Sequence, residues 1–84
     1  MHEPDIRSAL LQLVAERGPN KSACPSEVAR ALFSADWQAH MSEVRDAARA
    51  LLREDQLRVT QGNTDLSAQD AWHGPIRIRM RQTR

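Results

Sequence analysis

The spacing of the apolar residues changes once along this chain, after about residue 53. Up to that point apolar side chains recur every three or four residues, which is the repeat of an amphipathic helix. Beyond it, in LRVT (57–60) and IRIRMR (76–81), they alternate with polar or basic side chains. That alternation is the repeat of a strand with one buried face. Because 84 residues suffice for one small core, the pattern predicts a single α+β domain over residues 1–84.

Three helices are predicted before the strands. The first spans about residues 4–17 and the third about residues 42–55. The second spans about residues 25–33, where Pro25 suits the first helical position and Glu27 can reach back to cap free amides. The second and third helices are separated by a short break that we expect to form a single turn.

The two predicted strands form an antiparallel pair that covers the helices. Their apolar faces consist of Leu57, Val59, Ile76, Ile78 and Met80. The segment between them is longer than a tight hairpin needs, and such loops are usually functional or mobile. The order of helix, short extended connection, helix, helix, strand, loop and strand is that of a winged helix. In that fold a three-helix core containing a helix-turn-helix precedes a β-hairpin, the wing.

Several short runs of residues resemble a known family. These are CPSEVA (24–29), DW (36–37) and GPIR (74–77). They resemble small bacterial proteins catalogued as a domain of unknown function, the 3253 family, over about residues 20–80. The resemblance implies a winged-helix fold and no particular activity. Its members often carry a glycine where the third helix ends, whereas this chain reads EDQ (54–56), which specifies the end of that helix less sharply.

Positive charge is concentrated in the last third of the chain. The net charge is only +1, but residues 1–55 carry seven basic and nine acidic side chains. Residues 56–84 carry five arginines and two aspartates. The two parts therefore differ in sign, about −2 against about +3 by this count. An anionic partner is expected to meet the C-terminal part.

The arginines predict contact with nucleic acid, most favourably duplex DNA. In a winged helix the third helix can enter the major groove while the wing crosses the backbone. The forked guanidinium group matches both phosphate and guanine edges. The candidate residues on the third helix are Ser42, Arg45, Arg49 and Arg53, and those on the hairpin are Arg58, Arg77, Arg79 and Arg81. Arg45 and Arg49, with Ser42, are the candidates for groove contacts, and the hairpin residues are the candidates for phosphate contacts.

The same arginines also fit two roles that involve no nucleic acid. Asp46 lies three residues before Arg49 and seven before Arg53, and it can hold either one in a surface ion pair worth about 0.2–0.5 kcal/mol. Alternating arginines on a strand also keep an exposed sheet edge from pairing with other chains. The alternative function is a protein-protein interaction module without nucleic-acid binding, which suits the near-neutral net charge and the acidic residues around the third helix.

The two tryptophans have different expected roles. Trp37, between the second and third helices, is expected to cover the core. Trp72 lies in the polar segment between the strands, and two interpretations are possible. It either folds back and pins the wing to the domain, or it is presented to a base or a protein pocket.

The sequence favours neither an enzyme nor a bound cofactor. Cys24-Pro25 lies at a predicted helix start, where a thiol can be activated, but no nucleophile motif accompanies it, so a buried structural cysteine is expected. The histidines show no metal-ligand spacing, and no phosphate-binding glycine loop is present. A single cysteine, with no visible signal peptide or membrane-spanning run, leads us to expect a cytoplasmic protein. We expect a monomer or weak dimer.

Overall fold

The computed structural model describes residues 5–81 and contains, within them, three α-helices and four strands. The helices are α1 (Ile6–Arg17), α2 (Pro25–Phe33) and α3 (Met41–Arg53), and a 3₁₀ helix (Ser34–His40) joins α2 to α3. The strands are β1 (Ser22–Ala23), β2 (Leu57–Gln61), β3 (Thr64–Asp65) and β4 (Arg77–Met80). The α+β class is confirmed, and the arrangement is compatible with a winged-helix-like fold. The predicted start of the first helix, at residue 4, lies outside the described residues.

The strands form one antiparallel sheet in the order β1-β4-β2-β3. The predicted pairing of β2 with β4 is confirmed, with Val59 opposite Ile78 and Arg58 opposite Arg79. On its other side β4 pairs with β1, where Ser22 lies opposite Arg79. The sequence predicted only an extended connection at β1. Because β1 pairs with Ile78 and Arg79 of β4, that strand is not at the edge of the sheet there. This pairing argues against the interpretation of its arginines as protection of an exposed edge.

The predicted long connection between the two main strands is divided into two parts. Gly62 and Asn63 form a two-residue turn from β2 into β3, and Gln61 lies opposite Thr64. Gly62 has φ +61°, the left-handed conformation that a two-residue hairpin with glycine first requires. The remaining segment, residues 66–76, is called the long loop below. The sequence predicted one loop over the whole segment between β2 and β4. In the structure β3 occupies part of that segment, and the long loop connects β3 to β4.

One core joins the helices to the inner face of the sheet. Its buried apolar members are Leu10, Val14, Ala23, Val28, Ala29, Val44, Ala48, Leu51, Leu57, Val59, Trp72, Ile76 and Ile78. The residues predicted to face the core from β2 and β4 are in this set except Met80, which is partly buried and packs against it. Trp37 also packs against the core from the 3₁₀ helix, as expected. The long loop therefore contributes two buried side chains, Trp72 and Ile76, to the same core.

The helix ends show how local sequence shapes the connections. At the start of α2, Glu27 accepts a hydrogen bond of 2.9 Å from the backbone amide of Cys24, as predicted. At the end of α3, Asp55 adopts φ +60°, and its amide donates to Leu52 at 3.0 Å while that of Gln56 donates to Leu51 at 2.8 Å. These two bonds form a Schellman motif, in which the left-handed position is usually glycine. Asp55 thus occupies, under strain, the position that ends the helix.

None of the helices within residues 5–81 combines the length and the apolar character that crossing a membrane would require.

Candidate nucleic-acid interface

The candidate residues divide into two groups with different surroundings. The first group lies on α3, where Arg45 faces the long loop. One guanidinium nitrogen of Arg45 donates to the carbonyl oxygen of Trp72 at 2.7 Å and the other to that of Gly74 at 3.2 Å. The sequence pattern alone gave no reason to expect these acceptors, since they lie 27 and 29 residues away. Arg45 therefore holds the loop against the helix.

Arg49 makes the same kind of contact one helical turn later. It donates to the carbonyl oxygens of Ala68 and, at 2.8 Å, of Asp70. Its guanidinium group also lies over the ring of Trp72, 4.0 Å from the centroid. Among the ion pairs formed by the described part of the chain, none involves Asp46. The expected surface pair between Asp46 and Arg49 is wrong, because the donors of Arg49 are directed to the loop.

Trp72 pins the long loop to the domain. Its side chain is only 8% exposed, and its indole nitrogen donates to the carbonyl oxygen of Ser67 at 3.0 Å. Asp70 completes a turn by accepting a 2.7 Å hydrogen bond from the Ser67 amide. Of the two interpretations of Trp72 from the sequence, the first is confirmed. The ring is packed under Arg49 and is not presented to solvent.

The loop therefore occupies part of the face of α3 that was expected to enter a groove. Arg45 and Arg49 are half-buried beneath its carbonyl oxygens, whereas Ser42 and Arg53 remain exposed. Within residues 5–81 the side chain of Arg53 has no hydrogen-bond or ion-pair partner. Of the four candidate residues on α3, Ser42 and Arg53 are the two that are exposed to a partner in this conformation.

The second group lies on the outer face of the sheet, opposite the core. We call Arg58, Arg77, Arg79 and Arg81 the sheet arginines. The alternation along β2 and β4 directs Leu57, Val59 and Ile78 inward and the intervening residues outward. Arg58 and Arg79 are direct partners across the strands, which places their Cβ atoms about 5 Å apart. Like charges opposite each other destabilise a sheet unless they are compensated.

Compensation of these charges is partial. Arg58 pairs with Asp65 of β3 at 2.9 Å. Arg77 donates to the hydroxyl oxygen of Ser22 at 2.9 Å and to its carbonyl oxygen at 3.2 Å. Neither Arg79 nor Arg81 has a hydrogen-bond or ion-pair partner in the described part of the chain. The sheet arginines thus present four positive charges against one directly paired carboxylate, that of Asp65.

Glu27 lies near this face but is engaged elsewhere. It forms an ion pair with Arg17 and accepts a hydrogen bond from the Cys24 amide. The pKa of Glu27 lies below its usual value, chiefly because of the Cys24 hydrogen bond and then because of Arg17, against the opposing effect of partial burial. The charge of Arg77 makes a smaller contribution in the same direction. Glu27 therefore stays ionised, but Arg17 already balances its charge.

Cys24 belongs to the start of α2 and is partly buried, where the sequence predicted a buried structural cysteine. Its sulfur lies 2.9 Å from the hydroxyl oxygen of Ser26. No histidine is hydrogen-bonded to it within residues 5–81. Cys24 contributes to the helix cap through its backbone amide, which donates to Glu27.

Two residues on the outer face were not singled out from the sequence. Ser22 accepts from Arg77, which depends on the unexpected strand β1. Thr60, opposite Arg77, is only 5% exposed, and its hydroxyl oxygen has no hydrogen-bond partner within the described residues. The alternation along β2 puts Thr60 on the same face as Arg58, so its outward position could be predicted from the sequence. Its burial could not.

Comparison with known proteins identifies the family and no activity. A search of curated proteins finds no match. The family model of DUF3253, described as a protein of unknown function, matches residues 3–81, which is nearly the whole chain. This agrees with the resemblance noted in the CPSEVA, DW and GPIR segments. The chain belongs to the DUF3253 family.

Proposed function

We propose that this domain binds nucleic acid, with duplex DNA as the preferred form, through phosphate contacts made by the sheet arginines. The observation that carries the proposal is the imbalance of charge on the outer face of the sheet. Arg58 and Arg79 lie opposite each other, and among residues 5–81 only Arg58 of these two has a carboxylate partner. A phosphate backbone would relieve the repulsion between them, since arginine forms forked hydrogen bonds to phosphate oxygens.

Helix α3 makes fewer of the proposed contacts with DNA than the sequence predicted. Arg45 and Arg49 use their donors on the long loop, so they are not available to read bases while the loop is in place. Ser42 and Arg53 stay exposed and can add contacts at the side of the duplex. Because phosphate contacts carry no sequence information, we expect weak discrimination between DNA sequences.

Salt dependence tests the proposal directly. Fluorescence anisotropy of a labelled generic duplex would be measured at about 50 mM and about 200 mM chloride, where counterion release is readily detected. Four phosphate contacts predict a log-log slope of about −3.6, so that affinity falls on the order of 100-fold over this range. Replacing Arg79 and Arg81 with glutamine should halve the slope to about −1.8.

A control variant with the same change of net charge shows whether binding depends on the sheet arginines or only on the total charge of the protein. Arg7→Gln combined with Arg30→Gln removes two positive charges from the helices, where Arg7 pairs with Glu54 and Arg30 lies over Trp37. This variant should keep the wild-type slope. The absence of binding at low salt, or equal losses in the two double variants, would contradict the proposal.

A groove between α1 and α2 favours a second candidate, a protein-protein interaction module. The groove has a volume of about 270 Å³. Its lining is formed by Ala9, Gln12, Leu13, Glu16, Glu27, Val28, Ala31 and Leu32. Apolar side chains that line a concave surface are typical of binding grooves.

The groove can be blocked without disturbing the sheet. Ala31 is exposed and lines the groove, so Ala31→Glu should abolish retention of a protein partner in affinity purification at ordinary salt. Ala15→Glu changes an exposed residue of α1 outside the groove and should leave retention unchanged. Identical retention by both variants would count against this candidate.

A further inference from the structure

We infer that Thr60 and three of the sheet arginines, Arg58, Arg77 and Arg79, form a discrete site for one terminal phosphate group. The site lies on the same face as the proposed nucleic-acid interface, so the inference rests on the proposed function and narrows it. The ligand of this site is a phosphate dianion, either free inorganic phosphate or the phosphate monoester at the end of a nucleic-acid strand. A backbone diester, with one negative charge, would bind there less tightly.

The hydroxyl group of Thr60 is the first indication of such a site. The residue is only 5% exposed, and within residues 5–81 its hydroxyl oxygen has no hydrogen-bond partner. Buried hydroxyl groups in folded proteins are nearly always hydrogen-bonded, so an isolated one requires a physical reason. Val59, the preceding residue, is in the core, and alternation therefore directs Thr60 to the outer face. Less than 1 Å² of the hydroxyl oxygen is accessible, so a bound anion can accept its hydrogen bond once the neighbouring arginine side chains turn aside.

The register of the strands places the arginines around Thr60. Thr60 lies opposite Arg77, and Arg58 lies opposite Arg79. These four positions form a rectangle with sides of about 5 Å across the strands and about 7 Å along them. A phosphate group centred in it is within reach of all four side chains, because a guanidinium group extends several bonds from its Cα atom.

Within residues 5–81, Asp65 is the only carboxylate that pairs with any of these three arginines. Arg58 is directed to Asp65 on β3, and Arg77 is directed to Ser22 on β1. These two strands lie at opposite edges of the sheet, so the two guanidinium groups are drawn apart. Arg79, between them, has no partner among the residues that the structure describes.

Binding would reorganise these side chains with little movement of the backbone. Arg79 and Thr60 would donate to the phosphate oxygens directly. Arg77 would exchange the neutral Ser22 oxygens for a charged acceptor, which forms a stronger hydrogen bond. Arg58 already has a carboxylate partner, and it would either retain Asp65 or share its donors with the phosphate. Three arginines around one ligand favour a dianion over a singly charged diester by simple charge balance.

Inorganic phosphate is the first probe. Amide chemical shifts would be followed by NMR during a phosphate titration at constant ionic strength, with chloride as the balancing salt. Saturable shifts at Thr60 and Arg79 are expected. Thr60→Val keeps the shape of the side chain and removes the hydroxyl group, and it should weaken phosphate binding about fivefold or more, whereas Thr60→Ser should retain it. Shifts no larger than those with chloride, or equal affinity in wild type and Thr60→Val, would overturn the inference.

Two duplexes that differ only in a 5′-phosphate separate this inference from the proposed function. The phosphorylated duplex should bind about fivefold more tightly, and Thr60→Val should abolish that preference. If both duplexes bind equally and their binding requires the sheet arginines, the proposed function stands and the discrete site is refuted. If phosphate binds saturably and neither duplex binds, the site stands, its ligand is a small phosphate compound, and the proposed function is refuted.

Discussion

The guanidinium group of Arg49 lies 4.0 Å from the centroid of the Trp72 ring, and the same group donates to two carbonyl oxygens of the long loop. A residue with the spacing expected of a DNA-contacting helix thus stabilises a loop that covers that helix. Arginine is suited to both roles, because its planar fork binds carbonyl or phosphate oxygens and its face packs on aromatic rings. The position of the long loop decides whether Arg49 binds carbonyl oxygens of the protein or is open to phosphate oxygens of a partner.

Replacing Arg49 should loosen the loop without unfolding the domain. Arg49→Met keeps much of the side-chain volume but removes the cation–π contact and the carbonyl hydrogen bonds, at an expected cost of about 1–2 kcal/mol. Urea denaturation would measure the free energy of unfolding, and amide hydrogen exchange at residues 68–72 should become faster. Arg53→Met, at an exposed position of the same helix, should change stability by less than about 0.5 kcal/mol. Equal costs for the two variants would show that Arg49 does not hold the loop.

Trp72 should contribute to stability like a core residue although it lies in a loop. Because the side chain is only 8% exposed, Trp72→Ala should cost about 3–5 kcal/mol. Trp72→Phe keeps an aromatic ring under Arg49 and loses the hydrogen bond to Ser67, so its cost should be smaller. Thermal unfolding followed by circular dichroism would measure both. A cost below about 1 kcal/mol for Trp72→Ala would place the loop outside the cooperative core.

Asp55 should be a site where glycine stabilises the protein. Its φ of +60° is unfavourable for a side chain with a Cβ atom, and glycine adopts it freely. Asp55→Gly should raise the free energy of unfolding by about 0.5–1 kcal/mol. Gln56→Gly is the matched control, because Gln56 does not have a positive φ and glycine there should destabilise. Loss of stability in Asp55→Gly would mean that the aspartate side chain compensates its own strain.

Acid should destabilise the protein through carboxylates that the fold keeps ionised. The pKa of Glu27 is lowered from its ordinary value of 4.5, chiefly by the Cys24 amide and also by Arg17. The pKa values of Asp5, hydrogen-bonded to Ser8, and Glu54, hydrogen-bonded to Arg7, are lowered from 3.8 and 4.5. A carboxylate whose pKa is lower in the folded state than in the unfolded state stabilises the fold at pH values above its unfolded-state pKa. This stabilisation is lost as the pH falls through its folded-state pKa. Stability should therefore fall as pH drops below about 4.5.

Glu27→Gln tests which carboxylate contributes most to this acid sensitivity. The variant can still accept the Cys24 hydrogen bond but loses the charge that faces Arg17, so stability at neutral pH should fall, by about 1 kcal/mol after allowance for solvent screening. Its stability should also depend less on pH between about 5 and 3, because one titrating group is removed. Urea denaturation across this range would show both effects. An unchanged pH profile would assign the acid sensitivity to other carboxylates.

The candidate interface was predictable in part. The outward position of Arg58, Arg77 and Arg79 follows from strand alternation alone, since Leu57, Val59 and Ile78 must face the core. The roles of Arg45 and Arg49 could not be predicted in this way. A helix surface pattern shows which residues point away from the core, but it does not show whether another segment lies over them.

The sequence by itself determined the three helices and the two main strands, β2 and β4, and which side of each faces inward, because helix and strand periodicity depend on neighbours a few residues apart. It also determined the start of α2, where Glu27 reaches the Cys24 amide within one turn. Only the tertiary structure decided that β1 covers β4, that the long loop packs on α3, and that Thr60 is buried without a partner in the described residues. These features join residues that are far apart in the chain, such as Ser22 with Arg79. Local propensity does not encode such contacts, since they depend on how separate elements share one core.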